Sequence, residues 1–130
     1  MRYAEVLLIA AEASAELGKP ATETAGYLNQ VRERARNCGG RMTAFPEDVS
    51  TGLTKSQLID VTMDDRRLEL AFEWKRWYDI KRRKLGEIVF QGPNSFEPRS
   101  NFDPSRDYLF PLPNSELIIN PNLAPNNPGY

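Results

Sequence analysis

Histidine is missing from all 130 residues. The commonest general base and the commonest nitrogen ligand for metals are therefore unavailable. Cysteine occurs once, at Cys38, so no disulfide can close within the chain. Beside Gly39 and Gly40, Cys38 reads as a loop residue. No apolar run approaches the ~18 residues of a membrane span. The first residues already have an amphipathic helical pattern, unlike a signal peptide with a charged start and an apolar centre. Charge of one sign is also lacking, with 17 Lys and Arg against 18 Asp and Glu. The net charge of −1 gives no overall field to gather nucleic acid or acidic lipid. Asn-x-Ser/Thr does not occur, so there is no glycosylation acceptor.

What is present begins with the stretch from Asp64 to Arg83. It holds both tryptophans and the densest charges, and no Gly or Pro interrupts it. On a helical wheel Met63, Leu70, Trp74, Trp77 and Tyr78 share one face with Arg67. Arg66, Glu69, Glu73, Arg76 and Asp79 share the opposite face, with Leu68 and Phe72 at its edge. Large apolar residues all round imply a helix packed on more than one side. Carboxylate–guanidinium pairs are expected between them. From Asp64 to Lys84 there are eight Lys/Arg and five Asp/Glu. They are interleaved rather than clustered, which argues against a nucleic-acid patch.

The rest of the chain suits one domain of the all-α class. Arg2 to Gly18 reads as a first helix, with Tyr3, Leu7, Ala10 and Leu17 in one stripe that Val6 and Ala13 widen. Gly18 and Pro20 stop it. A second helix runs from about Thr22 to Arg36, capped by Thr22 or Thr24, with Leu28, Val31 and Ala35 inward. Together residues 1–37 form a helical hairpin resembling a tetratricopeptide unit. Residues 41–54 read as a surface loop with Phe45 tucked back. Thr54 and Gln57 make a capping box. They open a second helical pair over residues 54–85, with a break near Glu73–Lys75 and an end at Gly86. Eight of the ten prolines lie between Pro93 and Pro128. Residues 86–130 are therefore expected to be an irregular wrap with at most one short helix.

Four blocks carry a resemblance. They are Arg2-Tyr3-Ala4-Glu5-Val6-Leu7-Leu8 with Ala11-Glu12-Ala13 and Leu28-Asn29-Gln30-Val31-Arg32-Glu33-Arg34-Ala35; Arg66-Arg67-Leu68-Glu69-Leu70-Ala71-Phe72-Glu73 with Arg76-Trp77-Tyr78-Asp79-Ile80-Lys81-Arg82; Tyr108-Leu109-Phe110-Pro111-Leu112-Pro113 with Ser115-Glu116; and Asn120-Pro121-Asn122-Leu123 with Asn127-Pro128-Gly129-Tyr130. In this order they resemble the C-terminal part of the SusD/RagB family of Bacteroidetes. Asp65 stands where the family usually has Glu, and Trp74 where it usually has a small residue, most often Gly. The resemblance implies a surface lipoprotein of the outer membrane that captures glycan or other nutrient without enzymatic activity. It also implies a SusC-type TonB-dependent transporter as partner, with tetratricopeptide-like helices as scaffold. Family members are several times longer. Glycan contacts and the lipid anchor are expected mainly in the N-terminal part that this chain lacks. Apolar surface that packs on that part would then be exposed, and self-association of the fragment is expected.

Trp74, Trp77 and Tyr78 could stack on a sugar ring, but helical spacing beside Leu70 favours core packing, so Trp74→Gly should cost helicity. Phe45, Phe90, Phe96 and Phe102 read as anchors of their loops. Glu69 and Glu73 lie one turn apart and cannot flank a scissile bond. With Arg66 and Arg76 they read as an ion-pair network. Arg32 is expected to pair internally, with Arg34 and Arg36 solvated. No catalytic residue, metal ligand, cofactor or nucleic-acid partner is expected, and no ligand-binding residue is assigned. The alternative function is an independent tetratricopeptide-like protein-interaction module. A hydrolase acting on polysaccharide is the weaker rival.

Overall fold

The structure is a computed structural model describing residues 1–130, the side chain of Cys38 excepted. Cys38, expected in a loop, lies in a two-residue strand. The fold is all-α. It divides into two compact units, Met1–Arg76 and Trp77–Tyr130.

The first unit is built on α1 (Tyr3–Glu16), α2 (Ala21–Arg36) and α3 (Lys55–Glu69). Ala4, Leu8, Ala11 and Ala15 recur at steps of four, three and four, and all are buried. The small alanines let α2 and α3 approach closely, so that Leu8 and, from α2, Leu28 are fully enclosed. This inward stripe is rotated from the one expected at Tyr3, Leu7, Ala10 and Leu17. Leu7 is buried, but Tyr3, Val6, Ile9 and Leu17 face outward. α1 therefore carries apolar residues on two faces, which is why its pattern misleads.

α1 ends with Gly18 N–H on Ala15 O (3.1 Å) and Lys19 N–H on Ser14 O (3.0 Å). That is the paired bonding of a Schellman stop. α2 starts at Ala21 without a side-chain cap. Thr24, expected as a cap, is instead fully buried and donates to Ser14 Oγ at 3.0 Å. Thr24, Ala25, Leu28 and Val31 line the inner face of α2, whereas Ala35 is exposed.

Asn37–Cys38 (β1) pairs antiparallel with Arg41–Met42 (β2). Gly39 and Gly40 between them have φ of +64° and +74°. A type I′ two-residue hairpin turn has positive φ at both positions, which glycine adopts without a Cβ clash. Phe45, expected to be tucked back, is exposed. Val49 is the buried anchor of this loop. Its N–H donates to Asn29 Oδ1 at 2.7 Å. Thr54 and Gln57 form the expected capping box at the start of α3.

The second unit contains most of α4 (Arg76–Arg83), then α5 (Gly86–Gln91), α6 (Pro104–Asp107), α7 (Asn114–Ile119) and a 3-10 turn at Pro121–Leu123. Gly86 thus opens a helix rather than ending the helical part, and residues 86–130 hold several short helical turns instead of at most one. Their centre is aromatic. The Trp77 ring stacks at 6.4 Å from Phe90 and 6.5 Å from Tyr108, and Phe102 fills the space between Phe90 and Tyr108. Phe102 anchors its loop as expected, Phe90 packs against it from α5 rather than from a loop, and Phe96 is exposed. The tail is stitched back by amide side chains. Asn126 takes the Leu112 N–H (2.8 Å) and gives a hydrogen bond to Leu112 O (3.1 Å), and Asn127 donates to Phe110 O. Amides here replace strand pairing, which proline forbids.

Gly86 is the tightest point of this unit. Its N–H donates to Tyr108 Oη at 2.7 Å, and an added Cβ would overlap the Phe102 ring and lie 2.8 Å from Tyr108 Oη. Gly86→Ala should destabilise the unit by about 1–3 kcal/mol, the cost of overpacking. Urea unfolding followed by near-ultraviolet circular dichroism checks this, and an unchanged midpoint would refute the packing described.

Candidate functional site: an arginine-clamped aromatic turn and its groove

α3 stops at Glu69 although no Gly or Pro follows. Residues 70–75 form a turn in which Phe72 and Trp74 have φ of +63° and +60°. Side-chain-bearing residues rarely adopt this left-handed conformation, because Cβ crowds the carbonyl oxygen. Such a conformation persists only when its surroundings hold it.

Arg2 holds it. Its Nε and Nη2 both donate to Glu73 Oε1, at 2.8 and 2.5 Å. Nη1 donates to Glu69 Oε1 at 2.6 Å, and Nη2 also reaches the Glu69 carbonyl at 2.7 Å. The other carboxylate oxygen of Glu69 accepts from Arg34 Nη2 at 2.6 Å. One continuous network, Glu73–Arg2–Glu69–Arg34, therefore ties the start of α1 and the end of α2 to the end of α3. At the end of the turn, Lys75 Nζ pairs with the buried Glu5 of α1 at 3.3 Å. Hydrogen bonding to Arg2 holds the Glu73 carboxyl below the usual glutamate range, and hydrogen bonds to Glu73 and Glu69 push Arg2 upward. Glu73 releases its proton more readily folded than unfolded. Its support of the turn is thus present above the unfolded glutamate pKa of about 4.3. That support is lost as pH falls through the lower folded value.

The ion-pair network expected around Glu69 and Glu73 exists, and it includes Arg2 and Arg34, far off in sequence. Arg32 pairs as expected, with Nε and Nη2 both 2.9 Å from the two oxygens of Asp65. Arg34 and Arg36 are not simply solvated, since Arg36 bonds Asp48 Oδ1 (2.7 Å) and Pro46 O (2.6 Å).

The aromatic residues separate sharply. Trp77 packs in the second unit. Trp74 is 90% exposed and Phe72 completely so, and Tyr78 is also exposed. The expected packing role of Trp74 is therefore wrong: the helix ends before it, and the wheel that put it beside Leu70 does not apply. Leu70 itself is buried.

Alongside the end of α3 lies an open groove of about 740 Å³. Val31, Val49, Leu53 and Val61 are buried or half-buried along it, while Phe45 and Leu68 are exposed at its edges. Among the described residues no group of three or more His, Cys, Asp or Glu could hold a metal ion. Nor is any helix among them long and apolar enough to cross a membrane.

With this geometry in hand, the comparisons with known proteins decide the family. A profile described as the SusD family matches residues 1–130. The chain belongs to the SusD family. Two SusD-like proteins of Formosa agariphila are similar to it. One is 57% identical over 130 residues, all of this chain and 25% of the relative. The other is 37% identical over 128 residues, 98% of this chain and 24% of the relative. A SusD homolog from Bacteroides thetaiotaomicron has the same fold over all of this chain and 26% of its own, with a TM-score of 0.73 at 24% identity. This SusD-family segment thus spans about a quarter of the length of the relatives it matches.

The strained turn explains the small residue that the resemblance leads one to expect at position 74. Glycine relieves a left-handed strain of about 1–2 kcal/mol. It adds about 0.5–1 kcal/mol of backbone entropy cost. Trp74→Gly should therefore leave stability unchanged or raise it by up to about 1.5 kcal/mol, with helicity retained. Thermal and urea unfolding check this, and a clear loss of stability or helicity would restore a packing role for Trp74.

Proposed function

We propose that this chain is a helical scaffold segment of a non-enzymatic SusD-like protein that captures glycan or another nutrient. In this reading the whole protein is a surface lipoprotein of the outer membrane. It works with a SusC-type TonB-dependent transporter. Its lipid anchor and most of its glycan contacts lie outside residues 1–130. The observation that carries the reading is where the family-like charged blocks fall. Arg2, Arg34, Glu69 and Glu73 satisfy one another, as do Arg32 and Asp65. Such pairs build a scaffold and leave no carboxylate couple poised across a cleft for acid–base work. The outward apolar face of α1 fits the same reading, as a surface that further helices of a longer protein, or copies of this segment, would cover.

Isothermal titration of a panel of oligosaccharides into this chain should give no saturable heat at micromolar ligand. Clear saturation there would place a glycan site within residues 1–130 and overturn the scaffold assignment. Sustained release of reducing sugar by a clean preparation would overturn the non-enzymatic reading.

A further inference from the structure

The turn at residues 70–75 runs against its own sequence. Leu70, Ala71, Glu73 and Lys75 are among the best helix formers, and no Gly or Pro stands between Asp64 and Arg83. Left to local preference, α3 would continue through them. Yet Phe72 and Trp74 take the left-handed conformation, and their side chains, out in solvent, gain no packing from it. A strained form without packing support needs another hold.

Arg2 supplies that hold at the atom where the helix would otherwise continue. In an α-helix the Glu69 carbonyl would accept the Glu73 N–H, four residues on. Here Arg2 Nη2 occupies that carbonyl at 2.7 Å, and the Glu73 N–H turns to Leu70 O at 3.1 Å. The same guanidinium bridges the carboxylates of Glu69 and Glu73. A planar fork on three acceptors fixes geometry in a way that the single ammonium contact of Lys75 with Glu5 does not. Arg2 thus blocks the hydrogen bond that would extend α3, and it ties together the turn that takes its place. The clamp is also open to water, since the Arg2 side chain is 42% exposed and that of Glu73 34%. Ion pairs in solvent hold weakly enough to be released. We propose that residues 70–75 are a two-state element: a turn while Arg2 caps the Glu69 carbonyl, and a continuation of α3 once Arg2 is withdrawn. The outward display of Phe72 and Trp74 is then set by Arg2 rather than by the sequence of the turn. The inference does not rest on the scaffold reading, since it concerns only the first unit.

The test is the Cα chemical shift of residues 70–75, measured by nuclear magnetic resonance on the isotope-labelled chain. The parent should show roughly 10% helix or less there, the usual weight of a minor state. Arg2→Met should raise this several-fold, to most of the population, and the Glu73 N–H should become protected from exchange. Adding Trp74→Gly to Arg2→Met should bring the helix down again, because glycine favours the left-handed turn and weakens a helix. Trp74 lies in solvent, so Trp74→Ala keeps both the core and the clamp. It should raise the helical fraction about twofold, alanine being the best helix former. A folded Arg2→Met variant with the turn unchanged, or with residues 70–75 in coil rather than helix, would overturn the proposal. So would equal helix in Arg2→Met with and without Trp74→Gly. If Arg2→Met does not fold, Trp74→Ala decides, and an unchanged helical fraction there would overturn the proposal.

Discussion

Glu69 is the residue on which the first unit turns. It closes α3, and its two carboxylate oxygens are taken by guanidinium groups from the first and second helices. A half-buried carboxylate is costly unless its lone pairs are satisfied by charge-assisted hydrogen bonds. Here the satisfaction comes from opposite ends of the sequence. The same bonds fix where the three helices end relative to one another. The buried Ser14–Thr24 hydroxyl pair does the equivalent work at the other end of the hairpin. Between these polar ends the alanine-rich contact of α1 supplies close packing.

From that anchor the next six residues follow. Once Arg2 bridges Glu69 and Glu73, the chain between them must reverse in a short distance and Phe72 adopts the left-handed conformation; Trp74 adopts it between that bridge and the Lys75–Glu5 pair. Phe72 and Trp74 are displayed outward as a consequence. The clamp is a structural reason for the display of these aromatics. In the second unit the organising element is different. An aromatic cluster around Trp77, with Gly86 pressed against Phe102 and Tyr108, holds several short turns that proline-rich sequence could not tie together by strand pairing.

Much of this was legible in the sequence, where the signal is local. The Thr54–Gln57 capping box, the stop at Gly18 and the hairpin of the first two helices have short-range causes, whereas the break in the third, expected near Glu73–Lys75, comes at Glu69. The family blocks were legible because they span the whole chain in order. What failed needed information from elsewhere in the chain. The periodicity of α1 supports two faces, and only the neighbouring helices choose Ala4, Leu8, Ala11 and Ala15. A helical wheel drawn through Asp64–Arg83 assumed continuity, so Trp74 was placed in a core it does not enter. The wheel also could not show that Arg2 and Arg34 reach Glu69 and Glu73 across the fold. The Gly39–Gly40 turn could have been read as a hairpin. The groove could not, since residues 45–53 meet the helices only through tertiary contacts such as Val49 to Asn29.

The account rests on Arg2 and Glu69 acting as one unit. A double-mutant cycle of Arg2→Met and Glu69→Gln, measured by urea unfolding at neutral pH, tests this most directly. The predicted result is strong coupling: either single change should cost much of what the double change costs. Strict additivity, with each change felt independently, would contradict the clamp as the element that holds the turn.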